Sequence, residues 1–192
     1  TNVREDLKKF ATETLRRVPW EKLSEKLTNN KYYCLNTIAE EDWKKMGEKV
    51  GENQTIDFFV SHSWNDDDHG KKGEVLKKVA TEFDSEKVAE KCFPTFWFDK
   101  AGIDQEDKKQ FAMGCEVVCI NFMLCEKILI LCGDKYATTL RCVWDLFTLL
   151  TSYHIEEATQ KVKFVDITAK KNGLKKLKTF RFKADNLECE NP

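Results

Sequence analysis

Residues 57–70, "DFFVSHSWNDDDHG", put a hydroxyl, an imidazole, a second hydroxyl and an indole side by side. They stand where an apolar run gives way to acids and a glycine. Several chemistries use such groups, and most fail on spacing. Ser, His and Asp are the members of a nucleophilic triad, but no G-x-S-x-G elbow presents a serine. Read as a calcium loop from Asn65, the stretch sets Asp67 and His69 at positions 3 and 5 and Gly70 in the glycine slot. Position 12 is then Leu76, where a bidentate glutamate is required. No G-x-G-x-x-G and no G-x-x-x-x-G-K-[ST] occurs, so neither a dinucleotide fingerprint nor a phosphate loop is present. No C-x-x-C pair occurs, and no histidine stands at zinc-finger spacing from two cysteines, so no metal site is expected.

What remains is position. "DFFVSHS" is an almost wholly apolar strand, of the kind covered on both faces. "GEVLKKVATEF" follows as an amphipathic helix with Val75, Leu76, Val79 and Phe83 inward. "TFWFD" is a second strand, and the apolar segment 111–124 is long enough for a buried helix. "KILILC" is a third strand, central because no polar residue interrupts Ile128–Leu131. "TTLRCVWDLFTLLTSY" carries Leu140, Val143, Trp144, Phe147 and Leu150 at helical spacing, and "KVKFVDI" and "KTFRF" alternate as later strands. This alternation specifies an α/β fold with a flavodoxin-like, doubly wound, mainly parallel sheet. Ligands of such sheets bind beyond the carboxyl ends of the strands. Ser61, His62, Ser63 and Trp64 fall at that edge.

Residues 1–54 read differently, as a helical N-terminal extension to an α/β domain of residues 55–192. Leu7, Phe10 and Leu15 mark one amphipathic run, which Pro19 interrupts. Trp20, Leu23 and Leu27 mark the next. Thr37 and Glu40 have the spacing of a capping box for "AEEDWKKMGEKV".

Composition excludes some partners. The 192 residues are 41% hydrophobic and 34% charged with a formal net charge of −1, which gives no reason to expect nucleic acid. No apolar run approaches the roughly 20 residues of a membrane span. The chain starts without Met and without an apolar leader core, so it reads as a piece of something longer. Its eight cysteines sit mostly among apolar neighbours, as small core residues of a protein in a reducing, cytoplasmic compartment.

Four stretches in order, "DFFVSHSW", "FWFDK", "AGIDQ" and "ILILCGDKY" with "LRCVWDLF", resemble the TIR-domain family. The likeness is greatest to its divergent protist-like branch with a Ser-His-Ser-Trp first strand, and covers about residues 55–185. They correspond to the family's first strand, its second strand, its so-called BB loop, and its third strand with the helix bearing Cys-x-x-Glu. The resemblance implies one of two functions. Some TIR domains break the nicotinamide–ribose bond of NAD, as substrate rather than cofactor; others only self-associate in signalling, here through residues 100–106. A nucleoside-processing enzyme on the same architecture is a third option.

In the enzymes the essential residue is the glutamate of Cys-x-x-Glu, which here is Asp145, and Arg141 stands where a tryptophan often precedes the cysteine. Loss of neutral nicotinamide leaves an oxocarbenium-like ribosyl centre that a fixed carboxylate stabilises. On this reading Asp99 and Lys100 line the pocket, Ser61 and Ser63 bond ribose or phosphate oxygens, and Trp64 or Trp97 stacks on a base. Family enzymes often carry a basic residue near Trp64, and Lys100 replaces it. The plainer alternatives are an exposed i,i+4 pair of Arg141 with Asp145, and a strand end whose hydroxyls cap a turn while Trp64 covers a core edge.

Overall fold

The computed structural model describes residues 3–29, 34–51, 54–66, 70–86 and 93–168. Its centre is parallel. Strand β4 (Thr95–Trp97) lies beside β3 (Ile56–His62), β3 beside β5 (Cys125–Cys132), and β5 beside β6 (Val162–Asp166). The chain goes from β3 to β4 on one side and then to β5 on the other. The strand order therefore reverses between β3 and β5, where a doubly wound sheet opens its crevice.

Both faces of β3 and β5 are covered, which is why these strands are apolar nearly throughout. Phe58, Val60, Leu129 and Leu131 enter one layer with Leu76, Val79 and Phe83 of helix α4 (Lys71–Glu86). Phe59, Ile128 and Ile130 enter the other with Phe122 of α7 (Val118–Met123) and Leu149 of α8 (Leu140–Ser152). Gly70, at φ 71, opens α4 in a left-handed conformation that a side chain would strain. "KILILC" has strand neighbours on both sides, as its apolar character required.

The N-terminal segment is not purely helical. Between α1 (Val3–Thr14) and α2 (Trp20–Thr28) runs a strand, β1 (Arg16–Pro19), antiparallel to β4 with Val18 opposite Phe96. Beyond β1 lies β2 (Glu48–Lys49), which completes six strands among the described residues. Pro19 explains the change of state: at φ −63 and ψ 141 it ends a helical path and leaves the backbone extended. The Thr37–Glu40 capping box does not form. Thr37 closes a 3-10 turn and donates to the Cys34 carbonyl, and Ala39 takes the N-cap of α3 (Glu40–Met46).

Two further expectations change. The segment 111–124 is two helices, α6 (Lys108–Glu116) and α7, parted at Val117, whose φ of −89 and ψ of 0 leave the helical region. On α8 the apolar stripe of Leu140, Val143, Trp144, Phe147 and Leu150 faces outward, and Cys142, Asp145, Thr148 and Leu149 face the sheet. The short α5 (Asp99–Gly102) follows β4, and α9 (Ile155–Lys161) precedes β6. "KTFRF" lies outside the described residues.

Candidate functional site at the carboxyl edge of the sheet

Side chains alternate along a strand, so β3 sends Ser61 to the α8 side and His62 to the α4 side. The anticipated residues therefore form two groups rather than one. On the α8 side, Ser61 Oγ donates to Asp145 Oδ2 at 2.6 Å and takes part in a 2.7 Å hydrogen bond with the Tyr136 hydroxyl. With the serine proton directed at the carboxylate, the tyrosine is the donor of that second bond. Arg141 Nε donates to Asp145 Oδ1 at 3.1 Å. Asp145 is only 5% exposed, so its pairing with Arg141 is not the solvated surface contact that i,i+4 spacing alone suggests.

Burial pushes the Asp145 carboxyl above its ordinary range. The Arg141 charge and the hydrogen bonds from Ser61 and Arg141 draw it back, and Asp99 pushes it further up. The neighbouring Cys142 thiol is raised to about 12, by burial first and then by the Asp145 charge. Burial raises the Tyr136 phenol as well, which keeps it a neutral donor. Tyr136 was not anticipated. Its signal in the sequence is a polar run, "GDKYATT", directly after the central strand.

On the α4 side, Trp64 Nε1 donates to the Asp99 carboxylate at 3.1 and 3.2 Å, and Lys100 Nζ sits 3.9 Å from the Trp64 ring centroid. Lys100 therefore lies on the indole itself, and a base stacking on that face would have to displace it. His62 is buried against Trp64, ring centroids 4.2 Å apart, and among the described residues neither imidazole nitrogen has a partner at hydrogen-bond geometry. Burial and then the nearby Lys72 charge hold it well below the usual histidine range, so it is neutral at pH 7. Lys72, another residue the sequence did not single out, is fully buried and donates to the Ser63 carbonyl.

Trp97 borders the α8-side group, with Arg141 Cζ 6.0 Å from its ring centroid. It is 1% exposed and stacked on Phe59 at 4.6 Å and 9°, so with one face on Phe59 and Arg141 over the ring a base has no open face to reach. Its strand neighbour Phe96 faces the opposite layer, so alternation turned Trp97 into the α8-side core. Of the two indoles anticipated, Trp64 is the one at the edge.

Ser63 joins the groups. Its Oγ accepts from Thr139 Oγ1 at 2.9 Å, tying the end of β3 to the loop before α8. Next to it, Asp66 Oδ1 accepts from Lys135 N at 2.6 Å. This approach requires a glycine after β5, because a Cβ on Gly133 would lie 2.4 Å from Asp66 Cγ. The two loops border a cleft of about 110 Å³, lined by Asn65, Asp66, Lys71, Gly133, Lys135 and Thr168 among others. It lies along the same carboxyl edge as the anticipated residues but contains none of them. It is smaller than the roughly 300–1,000 Å³ of ligand pockets. Among the described residues no group of three or more His, Cys, Asp or Glu is arranged to hold a metal, and no helix is long and apolar enough to cross a membrane. Comparison with protein families, with characterised proteins and with solved structures finds no match to this chain.

Proposed function

We propose that this domain cleaves the nicotinamide–ribose bond of NAD, or the corresponding bond of a related nucleotide, with Asp145 as the catalytic carboxylate. The observation that carries the reading is the burial of Asp145 at the carboxyl edge of the sheet, held by Ser61 and Arg141. A carboxylate kept in a poorly solvated place, with its orientation set by two donors, is preorganised for a developing cation. The residue resemblance to TIR-domain enzymes assigns the same position.

The chemistry balances simply. The C1′–N bond breaks, its electron pair leaves with nicotinamide, and the pyridinium becomes neutral. The positive charge passes to the ribosyl centre, where Asp145 stabilises it. Water then adds at C1′ and releases one proton. Arg141 must first turn away from Asp145 to admit the ribose; at 28% side-chain exposure it has solvent to turn into. Ser61 stays and orients the carboxylate.

The test is incubation of purified protein with NAD and chromatographic measurement of nicotinamide. Release that disappears in Asp145→Ala, with the fold retained, supports the proposal. Release from nucleosides but not from NAD selects the nucleoside-processing alternative. No release from the parent protein or Asp145→Glu, even at high concentration, selects a non-catalytic association module. That second reading is favoured by the bare apolar face of α8.

A further inference from the structure

The outward face of α8 is apolar and uncharged. Leu140 is 82% exposed, Trp144 and Phe147 54% each, and Val143 and Leu150 complete the stripe. The rings of Trp144 and Phe147 lie 5.5 Å apart near its middle. The two charged residues of the helix, Arg141 and Asp145, pair with each other, and Asp145 is buried against the sheet. Apart from the indole N–H of Trp144, the stripe's side chains carry no polar group that would be desolvated at a cost if the face were covered.

We propose that this face is a self-association surface, and that its occupant is the same face of a second copy of this chain. Area supports that occupant. The five side chains leave on the order of 600 Å² of apolar surface exposed, at the upper limit for the largest patch of a soluble monomer. Two such faces brought together bury about 1,200 Å², where specific protein interfaces begin.

Spacing supports it too. Apolar residues three and four apart form a seam that packs against a like seam at a shallow crossing angle. A two-fold axis across the stripe sets the same patch of each copy against the other, so that residue i meets residue j and j meets i, and apolar side chains meet apolar side chains. Charge argues against the nearest competitor, the carboxyl-terminal part of this chain. Seven lysines and arginines lie between Lys170 and Lys183, and the stripe offers them no carboxylate. An uncharged face set against itself meets no like charge. Because the stripe points away from the sheet while Asp145 points towards it, the association does not depend on what the crevice takes.

The experiment is sedimentation velocity on the full chain, from about 1 to about 300 µM, a range that brackets the modest affinity of an interface this small. The expected result is a concentration-dependent dimer. Phe147→Glu and Phe147→Lys, each replacing an exposed side chain, should each weaken it by about thirtyfold or more, the effect of losing a central aromatic anchor. Thermal melting should be unchanged at low concentration, and an equimolar mixture of the two variants should recover dimer. A chain that stays monomeric across the range, or a dimer that persists in both single variants, overturns the proposal.

Discussion

At the scale of single residues, the candidate site rests on one buried acid. Ser61→Ala leaves an oxygen of Asp145 without its donor, and an unsatisfied buried acceptor costs about 1–3 kcal/mol; urea titration measures the loss. Asp145→Glu restores the side-chain length of the enzymes the chain resembles and should raise nicotinamide release tenfold or more, about 1.4 kcal/mol or more of transition-state stabilisation. Its extra methylene has little room, since Ser61 Oγ already stands 2.6 Å from the carboxylate. A fold penalty of about 1–3 kcal/mol should accompany the gain. A second residue, His62, sets a pH dependence. Its folded-state pKa lies well below 6.5, so unfolding takes up a proton once the pH falls below that value. Stability should decline below about pH 6.5, at up to about 1.4 kcal/mol per pH unit while the folded imidazole remains neutral. Asp145 acts with the opposite sign: its raised pKa favours the folded state at low pH, an advantage lost as pH rises from about 3.8 through the folded value. His62→Leu should remove the decline; a profile unchanged by that substitution would assign it to other groups.

At the scale of elements, the breaks between helices decide what solvent reaches. The parting of α6 from α7 at Val117 leaves Cys115 exposed and Cys119 half-buried, whereas Cys34, Cys125 and Cys142 are buried. Thiol labelling of the native protein should therefore modify Cys115 quickly. Cys142, whose pKa is raised to about 12, should react only as fast as the structure opens. Peptide mapping after brief iodoacetamide treatment reads this directly, and early modification of Cys125 or Cys142 would contradict the packing. The stretch at residues 100–106, the alternative association surface, is tied down. Ile103 is buried, Asp104 accepts from the Glu106 and Asp107 amides, and Glu106 pairs with Lys44 at 2.9 Å. A surface that is already organised by internal bonds has fewer free groups for a partner than the bare face of α8.

At the scale of the whole molecule, the described part of the N-terminal segment is bound into the sheet. β1 covers the edge of β4, and Trp20, Leu23, Leu27, Leu35 and Trp43 share a core with Phe58, Phe96 and Phe98. A chain starting at residue 55 would expose a strand edge and leave that core half-lined. It should aggregate, or bind a hydrophobic dye and lose its cooperative melt, in differential scanning calorimetry. Cooperative unfolding within a few degrees of the full chain would mean that the N-terminal segment is an accessory after all.

The sequence by itself determined the α/β alternation, the central place of "KILILC", and the position of Ser61 to Trp64 at a carboxyl edge. Those are local properties: apolar runs of strand length, helical periodicity, and the point where a run ends. Tertiary structure alone decided which side of the sheet each side chain joined. Alternation along β3 separated Ser61 from His62, and the orientation of α8 buried Asp145 while exposing Trp144 beside it. Helical spacing states which residues share a face, but which face meets the sheet depends on where the loop from β5 to α8 sets the helix down. Val18 shows the same limit from the other direction. A four-residue strand between two helices has too little periodicity to announce itself, and it exists because the edge of β4, more than 75 residues later in the chain, was there to pair with it.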